Sequence, residues 1–393
     1  MAYFSRRTNW DLGESVLSRT LEAMRAQGSP FFDLTESNPT RCGFSYPEER
    51  FLTPLSSKEI LTYAPMSKGM PAAREALVQY YARKAVSLSL EEIVLTSSTS
   101  EAYSFLFRLL MEPGDKVLIP APSYPLFSYL ADINDVVVDH YFLRLEEGRW
   151  RINLESIEQA LDKKTRAIVL VSPNNPTGSF IKQDELAALN CLCAAHNCAL
   201  ISDEVFADYI FPGQEKEFVS IAGNADVLSF ALGGISKALA LPQMKLSWIA
   251  ANGPCKVLAE ALERIEVIAD TYLSVNTPVQ HAAAMWLRHM GPIRDQVMAR
   301  VVGNYELLRR MAHESGCAEC LPVEGGWYAI LHVPSLKGDE SWAIRLLKEA
   351  GVYVHPGFFF DFQDEEHVII SLLPQHVIFE SGVGQLLRFL KGT

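Results

Sequence analysis

SFALGGISKALALPQMKLSWIA, residues 229–250, is the stretch on which the reading of this chain turns. The runs VLSFA (227–231) and LSWIA (246–250) have the length and apolar content of buried strands. Between them Lys237 sits just past the first strand, in a loop opened by Gly233 and Gly234. An ammonium set among apolar residues is costly to desolvate. One resolution is a Schiff base, in which the amine is committed to a carbonyl carbon and is no longer an isolated charge. The other is a loop lysine turned toward solvent.

Working outward, short apolar runs alternate with amphipathic stretches. Five more strands are expected at IVLT (93–96), KVLIP (116–120), DVVVDHYFL (135–143), RAIVLVS (166–172) and CALIS (198–202). Helical spacing falls near 71–85, 101–111, 154–162, 183–197 and 256–289. Strands separated by helices imply an α/β architecture, here a mostly parallel, seven-stranded sheet covered on both faces. Beyond about residue 290 the pattern changes to a long helix (293–316), strands at 327–333, 352–355 and 367–373, and a helix near 340–350. That reads as a smaller α+β domain. The expected division is an N-terminal segment (1–45) joining the small domain, a large domain (46–289) and the small domain (290–393).

The formal net charge of −12 argues against a nucleic-acid or anionic-membrane partner. No apolar run has the length of a secretory signal or a membrane span. Seven cysteines in a large chain fit a reduced, cytoplasmic setting. Cys317 and Cys320 form a CxxC, and Cys191, Cys193 and Cys198 surround His196. The second group lacks paired CxxC spacing, so no metal is expected.

Two more stretches carry chemistry. Asp203 directly follows CALIS in ISDEVFADYIF. Ligands of open α/β sheets bind beyond the carboxyl ends of strands, where a carboxylate can keep a pyridinium nitrogen protonated. The competing reading is a helix N-cap. Asn175-Pro176-Thr177-Gly178 forms a turn directly after RAIVLVS. Its asparagine can hydrogen-bond a phenolic oxygen or a carboxylate, or can simply shape the turn.

The ordered set NNPTG, SDE, SK and a basic residue eight positions on (Lys245) resembles the class I/II aminotransferases of pyridoxal 5′-phosphate (PLP) fold type I. The likeness runs from LTESNP (34–39) to ISLLP (370–374). It implies PLP carried by Lys237 as a Schiff base, with Asp203 on the ring nitrogen and Asn175 on the phenolic oxygen. TSSTSEAYSF (96–105) resembles the phosphate cradle, with Ser98, Thr99 and Ser100 at a helix N-terminus. Ser236 and Lys245 complete that cradle. APSYP (121–125) resembles the segment whose aromatic residue, here Tyr124, stacks on the ring. YAPMSKGMPAAREAL (63–77) resembles the segment in which a tyrosine, here Tyr63, reaches the neighbouring subunit's phosphate, which implies a homodimer. The implied partners are an amino donor and a 2-oxo acid acceptor in a ping-pong reaction.

Four departures from the family pattern stand out. Phe206 replaces a tyrosine three residues after the aspartate. Lys245 replaces an arginine, losing a bidentate fork on phosphate. Gly234 replaces a serine three residues before the lysine. Ile369 stands where an arginine usually clamps the substrate α-carboxylate, and no arginine lies between Arg345 and Arg388. Either another group holds the carboxylate, with Arg41 the first candidate beside Ser37 and Asn175, or the reaction is that of a lyase, racemase or decarboxylase.

Overall fold

The computed structural model describes residues 3–273, 275–334 and 338–392. Strand β1 (Phe32–Asp33) belongs to the N-terminal segment. The main sheet comprises β2 (Ile93–Thr96), β3 (Lys116–Ala121), β4 (Val137–Glu146), β5 (Arg149–Ile152), β6 (Thr165–Val171), β7 (Ala199–Asp203), β8 (Ser229–Gly234) and β9 (Ser247–Asn252). Their spatial order is β2-β9-β8-β7-β6-β3-β4-β5. The run from β8 to β4 is parallel, β9 is antiparallel to both its neighbours, and β5 folds back antiparallel on β4.

The period-2 alternation of the central strands supplies two cores. Val94, Val117, Val169, Ile201, Phe230 and Ile249 face one side, beneath the helices Thr99–Leu110 and Cys255–Tyr272. Leu95, Leu118, Ile168, Leu200, Ala231 and Trp248 face the other. Burial on both faces is what makes these strands uniformly apolar.

Two expectations need correction. The sheet has eight strands, because RWRI (149–152) pairs with β4 after a turn at Glu147 and Gly148, both with positive φ. Only Trp150 of that strand is fully buried, so it carries little apolar signal. The long helix expected over 256–289 is two helices, Cys255–Tyr272 and Thr277–Arg288. Leu273 takes a left-handed φ of 66°, and Asn276 caps the second helix by accepting from Val279 N–H.

The smaller sheet is built from β10 (Glu319–Cys320), β11 (Tyr328–His332), β13 (His355–Pro356) and β14 (His367–Ser371), in the antiparallel order β10-β11-β14-β13. Strand β12 (Val352–Tyr353) instead pairs in parallel with β1. Further along, Ser371 N–H donates to Leu34 O at 2.7 Å, and Ser371 Oγ–H donates to Glu36 O at 2.7 Å. The stretch carrying Glu36 and Ser37 is thereby fixed to the carboxyl end of β14 in the small sheet. Residues before it touch the large sheet's helices, with Trp10 Nε1–H donating to Asp132 at 2.7 Å. Among the described residues no helix is long and apolar enough to cross a membrane.

Candidate active site

Strands β6, β7 and β8 end side by side, with Val171 opposite Asp203 and Asp203 opposite Leu232. Their carboxyl ends launch the three segments that carry Asn175, Asp203 and Lys237. The turn after β8 is pinned from several sides. Ile235 N–H donates to Leu246 O at 3.0 Å, Tyr209 Oη–H to Lys237 O at 2.9 Å and Tyr46 Oη–H to Ala240 O at 2.7 Å. Lys237 Nζ lies 5.3 Å from the centre of the Trp327 ring and 5.8 Å from that of Phe206. Desolvation lowers its pKa, against the attraction of Asp203. Burial pushes Asp203 up to about 6, opposed by the Val205 N–H at 3.2 Å and by Lys237. The lysine and the aspartate therefore share one poorly hydrated space, and each favours the charged form of the other.

Asn175, four residues past the end of β6, is buried, and its Oδ1 has no hydrogen-bond partner among the described residues. Asn174 braces the turn from below through Nδ2–H bonds to Pro122 O and Thr177 Oγ1, both 3.0 Å. Gly178 is required here. Its φ is +70°, and a Cβ would come within 2.6 Å of Gly325 O in the small domain.

Ser98 caps the helix Thr99–Leu110, accepting from Glu101 N–H at 3.1 Å. The N–H groups of Thr99 and Ser100 are the first in that helix and have no intrahelical acceptor, which favours an anion. Ser236 is partly buried beside Lys237, whereas Lys245, Tyr63 and Tyr124 are exposed, Tyr63 by 74% and Tyr124 by 47%. Arg41 closes a short turn four residues past Ser37, with its side chain exposed.

The small domain forms the opposing wall. Tyr328 and Ile330 of β11 lie opposite Ser371 and Ile369 of β14, and His355 of β13 lies opposite Ile369 on its other side. Ile369 is fully buried in an apolar cluster with Trp150, Leu321, Ile330 and Phe360, against which Tyr328 and Phe359 pack. Burial pushes the Tyr328 phenol up to about 12, opposed by its polar neighbours Ser37 and Asn175. Burial lowers His355 to about 4, so its ring is neutral at physiological pH. Ser123 N–H donates to Phe360 O at 2.9 Å, tying the Tyr124 segment to this wall.

The sequence profile of aminotransferase class I and II matches residues 48–376. The chain belongs to this family. The glutamate-pyruvate aminotransferase AlaA of Haemophilus influenzae is 26% identical over 94% of this chain and 93% of its own length. The AlaA of Escherichia coli is 26% identical over 98% and 96%. Among solved structures, the alanine aminotransferase of Pyrococcus furiosus superposes with a TM-score of 0.89 at 24% identity, covering 99% of this chain and all of that one. An Escherichia coli aminotransferase gives 0.88, also at 24%, covering 100% and 99%. The chain is thus an aminotransferase, moving an amino group between an amino acid and a 2-oxo acid. The lyase, racemase or decarboxylase alternative raised by Ile369 is not favoured.

Within this aminotransferase the departures acquire physical reasons. At Gly234 an added Cβ would meet Ser247 Oγ at 2.5 Å, so the hydroxyl of Ser247 already fills the space that a residue-234 side chain would need. Phe206 is 4% exposed and packs edge-on against Trp327 at 5.3 Å and Tyr328 at 6.5 Å. The residue that sequence reasoning missed is Tyr328. WYAILHV carries only a strand signal, and nothing local reveals that its tyrosine meets Ser37 and Asn175.

Proposed function

We propose that this aminotransferase works with PLP bound at Lys237, cycling between amino and oxo substrates. The observation that carries the reading is the desolvated Lys237 beside Asp203 at the ends of β7 and β8. A partly desolvated amine of lowered pKa suits imine formation, which needs the free base. A carboxylate at the floor suits a pyridine nitrogen, and uncapped helix N–H groups suit a phosphate. The donor set fits the group.

PLP, once bound, supplies an aldehyde carbon that exchanges imine partners and a ring that accepts the electron pair left on the substrate α-carbon. The rest falls to the chain. Lys237 would hold the group, and its amine, of lowered pKa, would serve as general base toward the substrate α-proton. Asp203 would keep a proton on the ring nitrogen, and Asn175 would donate from Nδ2 to the phenolic oxygen. Ser98, Thr99, Ser100, Ser236 and Lys245 would hold the phosphate, and Tyr124 would stack on the ring. Phe206 contributes only its hydrocarbon face.

The same reading makes the protein a cytoplasmic homodimer in which the exposed Tyr63 serves the second subunit's phosphate. It divides the chain into an N-terminal segment to residue 45, a large domain to 289 and a small domain to 393. Relatives named for glutamate and pyruvate make those the first donor and acceptor to assay. The test is borohydride reduction of the cofactor-saturated protein followed by peptide mass analysis. A pyridoxyl group on the Lys237 peptide is expected, and its absence there ends the reading.

A further inference from the structure

A carboxylate recognised without a guanidinium needs other donors, and the small-domain wall offers one set. We propose that Tyr328, with Ser37 and Asn175, forms the α-carboxylate subsite of this enzyme, so that neutral donors do the work left open by Ile369. The inference rests on the aminotransferase reading, because it presumes an α-carboxylate to be held.

Three observations converge. The first is register. Tyr328 and Ser371 form one β11–β14 pair, and Ile330 and Ile369 form the pair two residues along, so the phenol projects on the same face as Ile369, one pair nearer the strand end. The second is company. The Tyr328 ring lies 6.5 Å from that of Phe206, and Ser371, paired with Tyr328 across the sheet, holds Glu36 and so brings Ser37 of the N-terminal segment alongside; Asn175 of the large domain is the third polar neighbour of the phenol. Lys237 Nζ lies 5.8 Å from the centre of that same Phe206 ring, so the cluster borders the lysine. The third is charge. Ile369 is apolar, the His355 ring opposite it is neutral at physiological pH, and the phenol keeps its proton there. Glu36 lies close enough to act on Tyr328 and opposes an anion. Attraction therefore depends on the hydrogens of the three donors, and deleting one is expected to show in full.

An O–H group donating to a carboxylate makes a charge-assisted hydrogen bond, and removing it from a water-poor site weakens binding by about 10–100-fold. Tyr328→Phe keeps the ring and its packing on Phe206 and deletes the donor alone. In the cofactor-loaded enzyme, KM for the amino donor should rise by about tenfold or more while kcat stays within about threefold. Calorimetric titration with propionate, a carboxylate that cannot react, should show the same loss of affinity. Ser37→Ala, which leaves the aromatic packing untouched, should show a smaller loss in the same direction.

Propionate affinity within twofold of wild type in both variants would overturn the assignment. So would a Tyr328→Phe enzyme whose visible band titrates at a new pH while propionate binding holds, because the phenol would then serve the cofactor. A loss reproduced by Arg41→Ala alone would move the subsite to the rim. Failure of the underlying reading looks different. Wild-type protein would bind propionate through Tyr328 yet transfer no amino group to any 2-oxo acid.

Discussion

The two walls of the active-site cleft solve opposite problems. The large-domain wall gathers Lys237 and Asp203, two ionisable groups whose pKa values are displaced toward each other by burial. The small-domain wall presents Tyr328, Ile330, Ile369 and His355, which are uncharged at physiological pH. Bond-making chemistry needs groups poised to change protonation state, and such groups are held on rigid strand ends. Recognition on the facing wall needs only donors and shape. The contrast separates the displaced ionisable pair Lys237 and Asp203 from the uncharged side chains of the facing wall.

The largest test of that division is Lys237→Ala. Removing the imine partner and the base together should lower amino transfer by about 10⁴-fold or more in single-turnover assays, with thermal stability retained or improved. A variant still within tenfold of wild type would move the chemistry elsewhere. Asp203→Asn should reduce turnover by about 10²–10³-fold. It also has a pH signature. Folded Asp203 holds its proton up to about pH 6, whereas an unfolded aspartate ionises near 4. The folded chain binds more protons through that window and loses stability as pH rises across it. Cofactor-free Asp203→Asn should therefore melt above cofactor-free wild type at about pH 8, and the gap should close below about pH 4.

On the other wall the sharpest probe is Ile369→Arg. An unpaired cation placed among Trp150, Leu321, Ile330 and Phe360 should destabilise the fold by about 3–5 kcal/mol in denaturant titrations. If the variant instead keeps its stability and binds propionate more tightly, the neutral wall is an accident rather than a design. Smaller effects return to the cofactor. Phe206→Tyr adds a donor near the phenolic oxygen and should lower the pKa of the lysine imine by about one unit, read from the visible band. Lys245→Arg should tighten cofactor retention only severalfold, because the side chain stands in solvent.

The chemistry-bearing wall was legible because each of its residues lies within a few positions of an apolar strand. Asp203 ends CALIS, Asn175 follows RAIVLVS, and Lys237 follows VLSFA, so a period-2 signal and a turn suffice to put all three at one sheet edge. The recognition wall was not. Tyr328 acquires its role from Ser37 and Asn175, and those neighbours exist only once β1 has paired with β12 and the small sheet has closed on the large one. The eighth strand escaped because an edge ribbon with one fully buried tryptophan looks like a polar loop. The break at Leu273 did leave a mark, since Asn276-Thr277-Pro278 carries both a capping residue and a proline near the start of the second helix.

The fit between Gly234 and Ser247 reaches beyond this one molecule. Because the hydroxyl at 247 stands where a β-carbon at 234 would go, the two positions are coupled: a side chain at 234 needs residue 247 to give way. A serine introduced at 234, three residues before Lys237, would first require residue 247 to shrink or turn away. The order in which substitutions can accumulate around the cofactor is thus constrained by a contact between two neighbouring strands, and grafting from relatives should move the pair together.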